Sequence, residues 1–172
     1  NYQDRIEFQV RSGNDPSDLG AYVREAGTPS FNDGLITGAK NGLEVGGRMT
    51  AVSFDNVTVT NPTNAGVEVT GSTVSTISNL TVDGGSYGAL LGAGASGTVD
   101  LTDVDISGSS TAGVYYIKDV QGLLTGSIGT SAGPGVKFGK ATTNVVNYTG
   151  MTLSTNAIGV ENEGKGLLNI ID

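Results

Sequence analysis

A glycine recurs every 22 to 25 residues along the chain, and in six of seven cases it precedes an apolar-x-apolar triplet. The phrases are LGAYV, NGLEV, AGVEV, YGALL, AGVYY, PGVKF and the incomplete IGVEN, with glycines Gly20, Gly42, Gly66, Gly88, Gly113, Gly135 and Gly159. Self-similarity at a fixed period is typical of proteins in which each repeat packs only on its neighbours. The repeat therefore predicts a stack of similar units.

A second column has the same period and does not depend on these glycines. Boundary residues recur at intervals of 22 to 24 residues, and the series extrapolates back to Val10: Asp33, Asn56, Asn79, Asp103, Gly126, Gly150 and Asp172. The residue two positions before each boundary is always large and apolar: Phe8, Phe31, Phe54, Ile77, Leu101, Leu124, Tyr148 and Ile170. The residues four positions before and three positions after each boundary are also mostly apolar. This spacing indicates a strand with alternating apolar residues on each side of the boundary.

Each period thus contains three short strands, one before the boundary, one after it and one after the glycine. Identical columns stack only if successive periods lie over one another, as in a solenoid with a rise of about 4.8 Å per coil. The sequence predicts a single all-β solenoid segment over residues 1–172, with about seven coils of about 23 residues and three parallel sheets.

This pattern resembles the right-handed parallel β-helix of pectate-lyase-like proteins, phage tailspikes and many secreted surface proteins, over essentially the whole chain. The resemblance implies right-handed coils, which is also the general rule for parallel connections. Lyases of this family resemble one another in clustered Asp or Glu for calcium beside an Arg or Lys base, and hydrolases in paired carboxylates. The resemblance therefore leaves open both a structural role and a carbohydrate-active one.

The two columns are predicted to have steric roles at corners of the coil. The glycine column is expected where stacked corners leave little room for a Cβ atom or require a positive φ. The boundary Asn and Asp residues are expected at a tight bend, because these side chains tolerate the left-handed region and bond to nearby backbone. Asn56 and Asn79 also begin glycosylation patterns, but a bend would occupy them. Asn147 in NYT is predicted to face outward and is the better acceptor, with a chance match as the alternative.

Composition excludes several classes of function. The chain has no Cys and no His, so zinc sites built on these residues and His-dependent triads are excluded. Its net charge of -8 disfavours a nucleic-acid partner, because phosphate binding depends on Lys and Arg. No segment approaches the roughly 18 apolar residues of a membrane span, which argues against membrane insertion. The chain begins in mid-pattern and is interpreted as a piece of something longer.

Residues 49–117 contain six carboxylates and no Lys or Arg. Within this stretch, DLTDVD supplies Asp100, Asp103 and Asp105, and Asp83 is expected about one coil below Asp105. These four residues are the candidate calcium ligands, and calcium is the one cofactor that the sequence indicates. The alternative is a solvated acidic surface. A lyase-type base is absent from this stretch, which favours a protein that is not an enzyme.

Outward positions carry the remaining candidates. Tyr22 and Tyr115 share the outward column after the glycines, four coils apart, and are candidate sugar-stacking residues. The strand after the boundary is predicted to expose Leu35, Thr58, Thr81, Asp105, Ile128 and Thr152. Its threonines suggest an ice-binding ladder, but Asp105 and Ile128 interrupt them, and Thr is in any case a good strand former.

The predicted function is a non-catalytic extracellular or cell-surface β-solenoid, serving as a rigid stalk, an adhesive element, or a surface-layer or filament subunit. The alternative is a carbohydrate-active module that binds or cleaves a polysaccharide along an outward sheet face, using acidic residues. Ile6 with Phe8, and Leu168 with Ile170, read as core strands at the two ends. Because open strand edges are avoided in proteins, further coils of a longer chain or stacked copies are expected to cover them.

Overall fold

A computed structural model describes residues 6–7, 19–24, 28, 30–46, 51–71, 73–92, 97–118, 120–140, 145–165 and 167–171. Within these ranges the chain forms strands and turns, and no helix. The predicted column members Phe8, Val10, Pro29 and Asp172 lie outside the described residues.

The strands follow one another at regular intervals along the chain. Their bounds are β1 (Ile6–Glu7), β2 (Leu19–Arg24), β3 (Ser30–Thr37), β4 (Asn41–Gly46), β5 (Val52–Thr60), β6 (Ala65–Val69), β7 (Thr73–Asp83), β8 (Tyr87–Leu91), β9 (Gly97–Ser107), β10 (Ala112–Tyr116), β11 (Val120–Gly129), β12 (Pro134–Phe138), β13 (Val145–Ser154), β14 (Ile158–Asn162) and β15 (Leu167–Ile171). From β2 onward, short strands with a glycine alternate with longer ones.

The strands build two sheets, and the predicted all-β parallel solenoid is confirmed. The glycine sheet has the order β1-β2-β4-β6-β8-β10-β12-β14, and the bent sheet has the order β15-β13-β11-β9-β7-β5-β3. Every pairing is parallel except that of β1 with β2. Five coils, from β4–β5 to β12–β13, have a coil on either side, and the end coils are described only in part. The count is thus slightly below the predicted seven.

The prediction of three sheets is wrong, because the strands before and after each boundary are two halves of one strand. The boundary residues Asp33, Asn56, Asn79 and Asp103 have φ values of 60°, 53°, 51° and 53°. The ladder passes over the bend, pairing Asn32 with Asp55 and then Gly34 with Val57. A single residue in the left-handed region therefore turns the strand without ending its hydrogen bonding. The predicted bend at these residues is confirmed.

Like side chains stack inside the coils, as the columns predict. Phe31 and Phe54 meet edge to face with centroids 6.4 Å apart, and Tyr116 and Phe138 stack at 5.0 Å. Phe54, Val59 and their counterparts in the next three coils are buried. The inward columns on both sides of the bend are confirmed by this burial.

Ile128 was predicted to face outward, and this is wrong. Ile128 is buried and pairs with Ile106, while Ser127 takes the outward place beside Asp105. The cause lies at the bend of β11, where the ladder steps from Leu124 to Gly126 while β9 advances by three residues. Because this bend is one residue shorter, every later residue of β11 is displaced by one.

The glycine column is confirmed as a steric requirement. A Cβ atom on Gly66 would lie 2.5 Å from the methyl groups of Val82 and 2.7 Å from the carbonyl oxygen of Gly88. The ladder also passes over the glycine, pairing Ala65 with Tyr87 and then Val67 with Ala89. The expected positive φ is not found, since none of the described glycines of this column from Gly42 to Gly159 has one. Close packing alone accounts for the column.

The N-terminal strand departs from the prediction. Ile6 was expected to belong to a core strand stacked as one more coil, but β1 pairs antiparallel with β2, with Ile6 opposite Val23. Residue spacing determines which side chains can face a core, but it does not determine the direction of an edge strand. The free backbone groups of an edge accept either direction.

Candidate functional site

The outer face of the glycine sheet brings polar and aromatic side chains of successive coils together. One column of this face consists of Tyr22, Glu44, Glu68, Leu90, Tyr115, Lys137 and Glu161, in the predicted register. A second column holds the residues that precede the glycines: Asn41, Ala65, Tyr87, Ala112, Pro134 and Ile158. Because a glycine separates the two columns at a bend, side chains of both can meet.

Tyr115 contacts Tyr87 and Lys137, and the strand of Tyr22 lies four strands away in the same sheet. The Tyr87 and Tyr115 rings stack with centroids 5.8 Å apart, and Lys137 Nζ lies 5.8 Å from the Tyr115 centroid. Both neighbours stand in adjacent coils, so a sugar would meet mainly the edge of the Tyr115 ring. The backbone of Tyr22 pairs with that of Glu44, and two further members of the column, Glu68 and Leu90, separate Glu44 from Tyr115. Sugar binding at Tyr22 or Tyr115 stays a prediction.

Lys137 is held by two carboxylates. Its Nζ lies 3.1 Å from Glu161 and 3.1 Å from Glu163. These hydrogen bonds, more than the accompanying charges, raise the pKa of Lys137. Because all three side chains are partly exposed, the pairs contribute little stability. Lys137 stays protonated and is therefore not suited to act as a base.

A carboxylate pair, Glu44 and Glu68, lies on the same outer face and was missed from the sequence. Asn41 is only 2% exposed, and its Nδ2 donates to Glu44 at 3.1 Å and to Glu68 at 2.5 Å. Asn64 in turn donates to Asn41 Oδ1 at 2.9 Å. Burial and then the charge of Glu44 raise the pKa of Glu68, while Asn41 and Lys40 act in the opposite direction. The sequence signal of this pair is a Glu two residues after the glycine in two successive repeats, NGLEV and AGVEV.

Replacing Glu68 by glutamine is expected to stabilise the protein at neutral pH. Since folding raises the pKa of Glu68 above its ordinary value in the unfolded chain, the stability contributed by this group declines as the pH rises from the unfolded pKa to the folded pKa. Glutamine removes the repulsion and keeps an acceptor for Asn41. Because the site is partly solvated, we expect the melting temperature to rise by about 1 °C at pH 7 and not at pH 4.

Glu161→Gln is the matched control in the same column, because Glu161 faces Lys137 instead of another carboxylate. We expect this variant to gain no stability at pH 7. Equal responses of the two variants in thermal unfolding at both pH values would contradict the repulsion between Glu44 and Glu68.

The candidate calcium ligands are spread along the bent sheet. Asp105 accepts a hydrogen bond from Ser127 Oγ at 2.9 Å, and Asp100 accepts one from the Leu123 backbone at 2.9 Å. Asp103 is exposed at the bend between them.

Asp83 lies in the coil below Asp105, as predicted, but two residues further along the strand, because Thr81 pairs with Asp105 and Asp83 pairs with Ser107. The Ser107 hydroxyl donates to Asp83 Oδ1 at 3.2 Å. Within the described ranges, no group of three or more Asp or Glu side chains is arranged to hold a metal ion. Calcium binding by these residues stays a prediction.

Outward carboxylates instead connect neighbouring coils. Asp55 accepts hydrogen bonds from Ser78 Oγ at 2.6 Å and from Asn79 Nδ2 at 2.8 Å. These two bonds lower the pKa of Asp55 against a small opposing effect of burial. Asp83 and Asp105 bond in the same way to a serine on the next coil. The sequence signal is an Asp followed by a Ser 22 to 24 residues later.

The three glycosylation patterns lie on exposed parts of the bent sheet. Asn56 Nδ2 donates to Asp33 at 2.6 Å, and Asn79 is bonded to Asp55, so both amides are engaged at the bends as expected. Asn147 is exposed on β13, and its Oδ1 accepts a hydrogen bond from Asn169 at 3.2 Å. Glycosylation of Asn147 stays a prediction.

Comparison of the chain with protein-family models, with curated proteins and with solved structures finds no match. In the part of the chain that the structure describes, no helix is long and apolar enough to cross a membrane.

Proposed function

We propose that this chain is a non-catalytic structural β-solenoid of the extracellular space or cell surface, acting as a rigid stalk, an adhesive element, or a surface-layer or filament subunit. The right-handed, pectate-lyase-like form of the helix belongs to the same proposal. The observation that carries it is that outward side chains connect each coil to the next. Asp55 with Ser78, Asp105 with Ser127, and Asn41 with Glu68 all bond across coils.

These bonds supplement two ladders that run from coil to coil through the whole stack. In a solenoid each repeat contacts only its neighbours, so stability and stiffness accumulate along one axis. A net charge of -8 keeps the flanks of such particles apart, because like charges repel. Contact between particles is then favoured at their ends.

The last described coil supports end-to-end contact. Ile158 on β14 is 47% exposed, and Leu153 and Val160 are only partly buried. One coil earlier, Ile128 pairs with Leu153 and Val136 pairs with Val160, and both Ile128 and Val136 are fully buried. A further coil, belonging to the same chain or to a second copy, would bury this apolar surface in the way that each inner coil is covered.

Small-angle X-ray scattering over a concentration series tests this proposal. We expect particles that lengthen with concentration at a constant cross-section, and electron micrographs of thin filaments. Val160→Asp should shorten them, because it places a charge at the end surface, whereas Thr58→Asp on the flank, between Leu35 and Thr81, should not. A single monomeric species at all concentrations, unaffected by Val160→Asp, would contradict end-to-end assembly.

The second candidate is a carbohydrate-active module. It is favoured by the proximity on one outer face of the Tyr87–Tyr115 stack and the carboxylate pair, since aromatic rings and carboxylates are common in sugar sites. Incubation with acidic and neutral polysaccharides, with and without calcium, tests it through new reducing ends, unsaturated products or retention on the polymer. Activity or binding that is lost in both Glu68→Gln and Tyr115→Ala would support this candidate against the structural role.

A further inference from the structure

Two phenol hydroxyls lie inside coils that are otherwise lined by hydrocarbon in the same columns. Tyr116 on β10 is 1% exposed and Tyr148 on β13 is 4% exposed. The other buried or partly buried members of their columns are Val45, Val69, Leu91 and Phe138 in the glycine sheet, and Phe31, Phe54, Ile77, Leu101 and Leu124 in the bent sheet, whereas Asn162 beyond Phe138 is exposed. Tyrosine is therefore a local exception to the pattern in both sheets.

Neither hydroxyl has a hydrogen-bond partner within the part of the protein that the structure describes. Buried hydroxyls are nearly always bonded to protein or to ordered water, because an unmade bond is costly. Burial is the main cause that raises the pKa of both tyrosines, and the second cause is Asp100 for Tyr116 and Tyr116 for Tyr148. The two tyrosines stand in adjacent coils, because Tyr116 pairs and stacks with Phe138 of the coil that contains Tyr148, and Tyr148 pairs with Leu124 of the coil that contains Tyr116.

The ladder of the bent sheet is interrupted in the coil of Tyr116. Between β9 and β11 the ladder pairs Gln121 with Thr98 and Leu124 with Leu101, and it is interrupted between them. At the interruption the Leu123 N–H donates to Asp100 Oδ1 instead of to a backbone carbonyl. Backbone groups and a carboxylate thus take the place of a regular ladder.

Gly122 stands at this interruption, in a column where the adjacent coils carry the buried residues Val99 and Val146. Its φ is 152°, and a Cβ atom would collide with the Val99 carbonyl oxygen and lie 3.2 Å from Asp100 Oδ1. The coil of Tyr116 therefore presents no side chain where its neighbours present an isopropyl group. A small polar ligand could approach both the wall and the phenols here.

We propose that the bore between Tyr116, Tyr148 and the wall at Gly122 is a binding site for water, in which at least one molecule bridges the two hydroxyls to that wall. Water both donates and accepts hydrogen bonds, so one molecule can bond to both phenols and to a backbone carbonyl such as that of Val99 at the interruption. Parallel ladders close the coils above and below, which favours the smallest polar ligand. Globular proteins hold about one buried water per 27 residues at such otherwise unsatisfied groups.

Unfolding equilibria of Tyr116→Phe, Tyr148→Phe and the double variant at pH 7 test the site. Each single change should raise the unfolding equilibrium constant about five- to tenfold, because it takes a partner from the bridging water. The double variant should lose less than the sum of the two single losses, because the hydroxyls share one ligand. Phenylalanine variants that match or exceed the parent in stability would overturn the proposal, since this is the behaviour of hydroxyls without a ligand.

Two controls separate the site from a general effect of phenols. Tyr87→Phe on the outer face should leave the equilibrium constant within about twofold of the parent. Phe54 belongs to the same column as Tyr148, but the residue two positions before it is the buried Val52 and not a glycine such as Gly122. Phe54→Tyr therefore adds a hydroxyl without a polar partner and should lower the stability. Transfer of magnetisation from long-lived water to nearby amides should be seen in the parent and lost in the double variant. Its absence in the parent would also overturn the proposal.

Discussion

Gly88→Ala is expected to lower the stability of the solenoid strongly. The new Cβ atom would overlap Ile106 Cγ2 and lie 2.6 Å from the carbonyl oxygen of Gly113. Ile106 is fully buried, and the Gly113 carbonyl belongs to the next coil, so neither atom can move without displacing packed structure. Overpacking of this kind costs about 1–3 kcal/mol or more, against a typical total stability of about 5–15 kcal/mol. Circular dichroism should show a thermal transition lowered by about 10 °C or lost.

Gly159→Ala is the matched control, because Gly159 belongs to the same column and its nearest atom, Leu153 Cδ1, is 4.0 Å from the Cβ position. We expect this variant to unfold like the parent. A second test combines Gly66→Ala with Val82→Ala. Removing the Val82 methyl groups should restore part of the stability that Gly66→Ala loses, and the stability that is not restored reflects the contact with the Gly88 carbonyl oxygen. Equal tolerance of alanine at Gly88 and Gly159 would contradict a steric origin of the repeat.

The stacked columns could be predicted from the sequence because a solenoid repeats the same packing problem in every coil. Alternation determines the inward residues, and Asn or Asp every 22 to 24 residues marks a bend that needs the left-handed region. The number of sheets could not be predicted in this way. A bend of one residue and a turn between two strands look alike in a sequence, and only the ladder across Asn32–Asp55 and Gly34–Val57 distinguishes them.

A second column of residues with positive φ could not be predicted from the sequence, because its members share no residue type. It comprises Gly38, Asn61, Gly84, Gly108, Thr130 and Thr155. Threonine rarely adopts this region, since its branched Cβ is crowded there. At Thr130 and Thr155 the hydroxyl accepts a backbone hydrogen bond from the preceding coil, from Gly108 and Thr130 respectively, which offsets part of the strain.

The outer face was predictable as columns but not as contacts. The sequence placed Glu44, Glu68 and Tyr115 in one register, yet Tyr87 and Asn41 reach the same face from the position before the glycine. Whether those residues meet depends on the bend at the glycine and on side-chain rotamers. In the same way, one missing residue at the bend of β11 moved Ile128 inward and brought Ser127 to Asp105.

Alkaline solution is expected to unfold the protein through Tyr116 and Tyr148. An unfolded tyrosine has a pKa of about 10, and burial raises the pKa of both in the folded state. Below pH 10 both states keep the proton, so stability does not depend on these groups. Above it the unfolded state loses protons that the folded state retains. Stability then falls by about 1.4 kcal/mol per pH unit for each tyrosine until the folded pKa is reached.

Urea unfolding between pH 8 and pH 11.5 measures this slope in the parent, Tyr116→Phe, Tyr148→Phe and the double variant. Each single change should remove about half of the tyrosine-dependent slope, and the double change should remove it all. Lys137, whose pKa is also raised, titrates in every variant and cancels in the comparison.

A double variant that loses stability as steeply as the parent would show that neither phenol is shielded from solvent in the folded state. This slope is separate from the water site, because burial raises both pKa values whether or not water bridges the hydroxyls. The difference in unfolding free energy between the parent and the variants at pH 8 measures the contribution of the bridging water. The additional difference that develops above pH 10 measures the burial of the phenols. The same four proteins thus distinguish a dry core from a hydrated one, and a closed bore from one that hydroxide can enter.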